Sequence, residues 1–162
     1  MIIHESKRMS KTARNMAVAL GTAGEILVAT LLKEEGRHVK MSHDQYDRVK
    51  DMLVDGVQNV EVKTQVPFIK ENAMTFRPDQ LAKCTNADEL YFVLVSAPKH
   101  KYHYSGWVMK VIDPKNLAIR EYRTKDGRDM LLVDIDQPAV QLWKRIPKQH
   151  LSLMNNLTVS NY

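Results

Sequence analysis

The chain of 162 residues has a single cysteine, Cys84. No internal disulfide can form, and a zinc site built from cysteines is excluded. A reducing, intracellular and cytoplasmic setting is the simplest expectation. No apolar run reads as long enough to cross a membrane. The opening segment, Met1 to Arg14, is polar and basic, so neither a signal peptide nor a membrane partner is expected. Internal repeats, linkers and low-complexity stretches are also absent. The length suits one domain over 1–162 with an adequate core.

What is present is ordinary in proportion: 44% hydrophobic and 27% charged residues fit a soluble globular protein. Methionine is frequent, at 9 residues, and serves as adaptable core filler. Cys84 reads as a small buried residue, and Trp107 and Trp143 as core or interface aromatics. The net charge of +5 favours polyanionic partners. Lys7, Lys11 and Arg14 recur four and three residues apart and form one basic stripe on a helix. Lys99, His100, Lys101 and His103 interleave with Tyr102 and Tyr104. Both clusters are candidates for gripping nucleic-acid phosphates. A solvated helix face and a solvated loop would carry the same residues.

Met16, Leu20, Leu27 and Leu31 recur at helical spacing, which predicts a helix over Thr12 to Glu35 with Gly36 as its stop. Gly21 and Gly24 sit inside it at a cost of roughly 1 kcal/mol each relative to alanine, which predicts close approach of another element, such as a sheet. Glu25 lies on the flank of the apolar face, where an acid reaches over the sheet edge or simply meets solvent. Short strands are expected at His38 to Met41, in Asp51 to Gln65, at Tyr91 to Ser96 and at Trp107 to Ile112. Pro78 to Cys84 reads as a short helix with proline at its start. Leu117 to Tyr122 and Met130 to Ile135 flank a Lys125-Asp126-Gly127 turn and read as a hairpin. Leu142 to Leu157 reads as a loop followed by a short helix.

The segment Asp51 to Gln65 concentrates the chemistry. Met52 to Val54 and Val60 with Val62 suit buried strands, and Asp55-Gly56 is a turn signal. Side chains alternate along a strand, so Glu61 and Lys63 share one face, Gln65 shares it too, and Val60 and Val62 take the other. Asp51 is expected opposite Glu61–Lys63, to within a residue or two. Two carboxylates and a lysine on one hairpin surface suit a divalent cation and a phosphodiester. The tripeptide is not decisive alone, since Glu5-Ser6-Lys7 repeats it in a segment without strand character. Asp55 is a rival acid, but its turn position gives it turn chemistry instead.

With Thr22-Ala23-Gly24-Glu25 on the first helix, Asp51 before the Asp-Gly turn, and Glu61-Val62-Lys63, the chain resembles the PD-(D/E)XK nuclease superfamily. Arg77 to Leu81, Asn86 to Asp88 and the Tyr91 to Ser96 strand extend the likeness over about Gly21 to Val111. Lys50 stands where many members carry a proline. The resemblance implies an α/β fold with a restriction-endonuclease-like core (αβββαβ, a mixed central sheet flanked by helices) and, beyond it, a β-rich C-terminal extension. It implies a metal-dependent endonuclease that hydrolyses DNA, using Mg²⁺ with Mn²⁺ as substitute. Asp51, Glu61 and the Val62 carbonyl would hold the ion, and Glu25 would bind a second ion or orient a water. Lys63 would orient the attacking water or meet the developing charge, with Gln65 nearby. DNA is then the partner, and a homodimer would suit two-strand cleavage. The alternative is a non-catalytic nucleic-acid-binding protein of the same fold.

Overall fold

Apolar side chains at helical spacing build α1, Lys11–Glu34. Leu20, Leu27, Val28, Leu31 and Leu32 are all buried along one side of it. Gly36, at φ 86°, ends the helix. Its N–H donates to the Lys33 carbonyl at 2.9 Å, and the Arg37 N–H donates to the Leu32 carbonyl at 3.1 Å. This paired closure needs a left-handed residue, which glycine supplies without a Cβ penalty. The fold is that of a computed structural model described over residues 11–42, 51–96 and 105–158. Lys7, Lys99, His100, Lys101, Tyr102, His103 and Tyr104 lie outside the described residues.

Three strands follow: β1 (Val39–Met41), β2 (Met52–Val54) and β3 (Gln58–Gln65). They form an antiparallel meander. Asp55 and Gly56 turn β2 into β3 at φ 54° and 74°, the pair of positive angles that matches strand twist in a tight hairpin. The next elements are β4 (Ala73–Phe76), α2 (Pro78–Thr85) and β5 (Glu89–Leu94). β5 returns parallel to β3, with Glu61 beside Leu90 and Lys63 beside Phe92. A parallel return needs a crossover, and β4 with α2 supplies it.

The remaining elements are β6 (Trp107–Val111), β7 (Arg120–Arg123), β8 (Asp129–Asp134), β9 (Val140–Arg145) and α3 (Lys148–Asn155). The main sheet is mixed and runs β1-β2-β3-β5-β6-β9. The second sheet is antiparallel and runs β4-β8-β7. Together with three described helices they make a mixed α/β fold. The expected C-terminal β-rich extension is thus divided between two sheets. β4 and β9 depart from the expectation: β9 occupies residues assigned to a loop, and β4 went unpredicted.

The main sheet separates two cores. Tyr91, Val93 and Val95 pack with α1, Val60 and Met154 on one side. Leu90, Phe92 and Leu94 pack with α2, Met74, Phe76 and Val133 on the other. A strand covered on both faces reads as the continuous apolar run seen there. Cys84 and four methionines, 52, 74, 109 and 154, are buried in these cores. Trp143 stacks on Tyr91 at 4.7 Å between centroids, and the Trp107 ring carries the Arg145 guanidinium at 4.8 Å. Arg14–Glu34 passes a length-and-composition test for a membrane span, which departs from the expectation of no such run. Its apolar side is one wall of the first core.

Gly24 explains one of the two helical glycines. A Cβ there would lie 1.8 Å from Thr64 Oγ1 on β3, so the helix touches the sheet at this point. A Cβ at Gly21 would meet no other element within 4 Å among the described residues, and close approach does not account for it. Arg37 locks the same region from the other end. Its guanidinium donates to both Glu89 oxygens at 2.8 Å and to Asp55 Oδ2 at 3.0 Å. The end of α1, the β2–β3 turn and the start of β5 are tied together by one side chain.

Candidate active site

Asp51 precedes β2 and faces Glu61 on β3, because the β2–β3 register pairs Met52 with Val60. Its N–H donates to the Val60 carbonyl at 3.0 Å. Its carboxylate then takes over as a ladder acceptor: the Val62 N–H donates to Asp51 Oδ2 at 2.8 Å. The Asp51 side chain is therefore fixed by the backbone of the strand that carries Glu61 and Lys63. Val60 and Val62 pack into the first core while Glu61 and Lys63 take the opposite face, as the alternation requires.

Glu61 is 4% exposed and is the only charged side chain in the buried class among the described residues. Its carboxyl lies within hydrogen-bonding reach of that of Asp51. Burial pushes the Glu61 pKa well above the ordinary carboxylate range, the Asp51 charge pushes it further, and Lys83 pulls the other way. Lys83 Nζ sits 3.2 Å from Glu61 Oε1 and 3.3 Å from Asp51 Oδ1. Glu61 Oε1 nonetheless lacks a well-aligned hydrogen-bond donor; the ammonium neutralises it by proximity. Glu25, on α1, lies near enough to Asp51 and Lys83 to feel both charges. Its pKa is pushed up to about 7, first by burial and then by the charge of Asp51, against Lys83.

Lys63 occupies a separate position on the same strand face. Its ammonium lies 5.4 Å from the centre of the Phe76 ring and pairs with no carboxylate among the described residues. Burial lowers its pKa. It opens onto a groove of about 520 Å³ whose walls include Phe76, Arg77, Gln80, Arg128 and Met130. Gln65 lines that groove too, but both ends of its amide are taken by β4. The Thr75 N–H donates to Gln65 Oε1 at 2.8 Å, and Gln65 Nε2 donates to the Thr75 carbonyl at 3.1 Å. It clamps the second sheet against the end of β3.

The structure thus brings Glu25, Asp51, Glu61 and Lys63 to one locality and gives Gln65 a structural partner. Asp55 belongs elsewhere: it accepts from Arg37 and from the His38 N–H at 3.0 Å. Arg14 is exposed on α1, and Lys11 opens that helix. Lys83 is the residue sequence reasoning missed. Its one signal is its place beside Leu81 and Cys84 on the buried stripe of α2, the helix that follows the Glu-x-Lys strand.

Among the described residues no three His, Cys, Asp or Glu side chains form a ready metal-binding group. The Asp51–Glu61 pair is a smaller set, and its chemistry fits Mg²⁺ or Mn²⁺. Mg²⁺ is commonly held by one or two carboxylates, with waters and substrate phosphate completing the shell. A buried carboxylate pair with one ammonium between them is short of positive charge, and Glu25 adds to the deficit.

That deficit sets a pH dependence. Glu25 and Glu61 bind protons more tightly folded than unfolded, so the stability they contribute is present at acid pH and is lost as pH rises through their raised values. The melting temperature in EDTA should fall between about pH 4.5 and pH 7, the ordinary and raised values for Glu25. Mg²⁺ should restore more of it at pH 8 than at pH 5. A melting curve that rises across this window would contradict the assignment.

No family model, curated protein or solved structure matches the chain.

Proposed function

We propose that this protein is a divalent-metal-dependent nuclease that hydrolyses DNA phosphodiester bonds. The observation that carries the reading is the buried Glu61 carboxylate beside Asp51, with Lys63 two residues further along the same strand face. Perturbed, partly desolvated charges beside a groove are what a reactive site requires. The order of elements supports it through its resemblance to the PD-(D/E)XK superfamily: α1 with its acid, the β1–β2–β3 meander, a crossover with α2, and β5 parallel to β3.

On this reading Asp51 and Glu61 hold the ion by carboxylate, with the Val62 carbonyl beside them and Glu25 at the edge. A bound divalent ion would polarise the scissile phosphate and make an attacking water more acidic. Lys63 faces the groove, where its ammonium meets charge developing on the phosphate. Among the described residues no carboxylate pairs with that ammonium, which leaves it available beside Phe76. Arg77 and Arg128 line the same groove and are placed to hold flanking phosphates.

One observation favours the non-catalytic nucleic-acid-binding alternative. Lys83 already partners both carboxylates, as in a structural ion-pair cluster. The two readings separate on supercoiled plasmid, single-stranded and branched DNA, each with Mg²⁺ or EDTA. The nuclease cuts at least one of them only with Mg²⁺, and Lys63→Met lowers the rate by about a hundredfold or more. Binding without cleavage on every substrate would select the alternative.

A further inference from the structure

Lys83 Nζ occupies the space that a cation would need. It lies 3.3 Å from Asp51 Oδ1 and 3.2 Å from Glu61 Oε1, and it is the one ammonium that touches both carboxylates among the described residues. An ion coordinated by those two oxygens and an ammonium at these distances cannot coexist, because both would sit between the same pair of oxygens and repel each other. Lys83 is also built to leave. It projects from the last turn of the eight-residue helix α2 on a flexible four-carbon stem, and its side chain is 24% exposed. Lys63, by contrast, stands over Phe76 with no carboxylate partner among the described residues. The two lysines have different positions and different duties.

We propose that Lys83 is an internal counter-cation that holds the Asp51–Glu61 pair until a divalent ion displaces it. This inference rests on the metal-site reading above and adds a residue to it. While bound, the Lys83 ammonium keeps two neighbouring carboxylates from facing each other bare, which preserves their spacing in the metal-free protein. Once displaced, it moves toward solvent, where nucleic-acid phosphates are its next counter-charge. Lys83 is a positioning residue on this account: it sets the threshold for ion entry and does not itself complete the ion's shell.

The test is Mn²⁺ titration by calorimetry in the absence of nucleic acid, on the wild type and on Lys83→Met, Lys83→Arg, Lys63→Met and Asp51→Asn. Lys83→Met should bind Mn²⁺ roughly tenfold tighter or more, the size expected when a competing ligand is removed from a shared site. Lys83→Arg keeps the charge and should stay near the wild type, as should Lys63→Met. Lys83→Met should also melt lower than the wild type in EDTA and gain more from Mn²⁺. Equal or weaker Mn²⁺ binding by folded Lys83→Met overturns the proposal. If Lys83→Met does not fold even with Mn²⁺, while Lys83→Arg folds and binds as the wild type, Lys83 is a fixed structural partner and the proposal also falls. If no protein in the set shows binding that Asp51→Asn abolishes, the metal-site reading itself fails, and Lys83 is the permanent partner of the pair.

Discussion

Gly24→Ala should be among the most damaging single-methyl additions in this protein. The new Cβ would lie 1.8 Å from Thr64 Oγ1, 2.9 Å from its Cβ and 3.2 Å from its Cγ2. The obstacle is a β-branched side chain on the central strand β3, which has little rotamer freedom with which to retreat. Either α1 lifts off the sheet or β3 shifts. Overpacking of this kind costs about 1–3 kcal/mol, and sometimes more, which outweighs the helix-propensity gain of roughly 1 kcal/mol from losing a glycine. Urea unfolding of Gly24→Ala, Thr64→Ala and the double variant measures this. Thr64→Ala removes the 1.8 Å and 3.2 Å contacts but leaves the Cβ contact, so rescue should be partial and the two changes strongly non-additive. Thr64 Oγ1 is buried with no hydrogen-bond partner among the described residues, so its own removal should cost little beyond the lost packing. Unchanged stability in Gly24→Ala would mean that the helix does not sit on the strand as described. Glu25 is the next residue, so on the nuclease reading lifting α1 should also weaken cleavage.

Glu61→Gln should separate activity from stability. The variant keeps the shape of the side chain and deletes a charge that burial and Asp51 both disfavour. On the nuclease reading, cleavage in Mg²⁺ should fall by about a hundredfold or more. In EDTA at pH 8 the same variant should melt higher than the wild type, reflecting a gain in unfolding free energy on the order of 1–3 kcal/mol. The sign follows from the raised pKa. The wild type is most stable while Glu61 holds its proton, and loses that contribution as pH rises through the raised value; glutamine never ionises. The gap between the two proteins should therefore close on going down to pH 5. Lys83 keeps Asp51 as a partner in the variant. A lower melting temperature at pH 8, with cleavage intact, would show Glu61 to be part of a stabilising ion pair and nothing more.

The parts of this site that could be read in the sequence are those governed by local geometry. Glu61 and Lys63 share a face because strand periodicity is fixed at two. Asp51 could be read opposite Glu61–Lys63 only to within a residue or two, because the loop around Asp55-Gly56 is longer than two residues; the Met52–Val60 register then sets it beside Glu61. The helix carrying Glu25 followed from spacing, and its end from Gly36. Lys83 was not readable, because its two partners depend on how α2 docks across the sheet, and docking leaves no local pattern. β9 was hidden for a related reason. Leu142 is 43% exposed and neighbours a half-buried Trp143, so the strand has no clean alternation to advertise it. β4 has four residues and finds its partner in β8, with Ala73 beside Asp134. Gln65 was assigned to the right face, but its amide had a partner in Thr75 that no spacing rule supplies.

That β4–β8 pairing has a consequence for the order in which the site comes into being. Every acid of the cluster, and both lysines, lie on elements complete by Thr85. The far wall of the Lys63 groove, Arg128 to Met130, belongs to the β7–β8 region and is translated more than forty residues later. A chain emerging from the ribosome N-terminus first has its charges in hand well before the surface that would align a substrate against them. Joining strands so distant in sequence is also a slow kind of closure, because the intervening loop must lose its freedom before any contact is gained. Maturation of this groove is therefore tied to the late, long-range step of folding rather than to the early hairpin that carries the carboxylates.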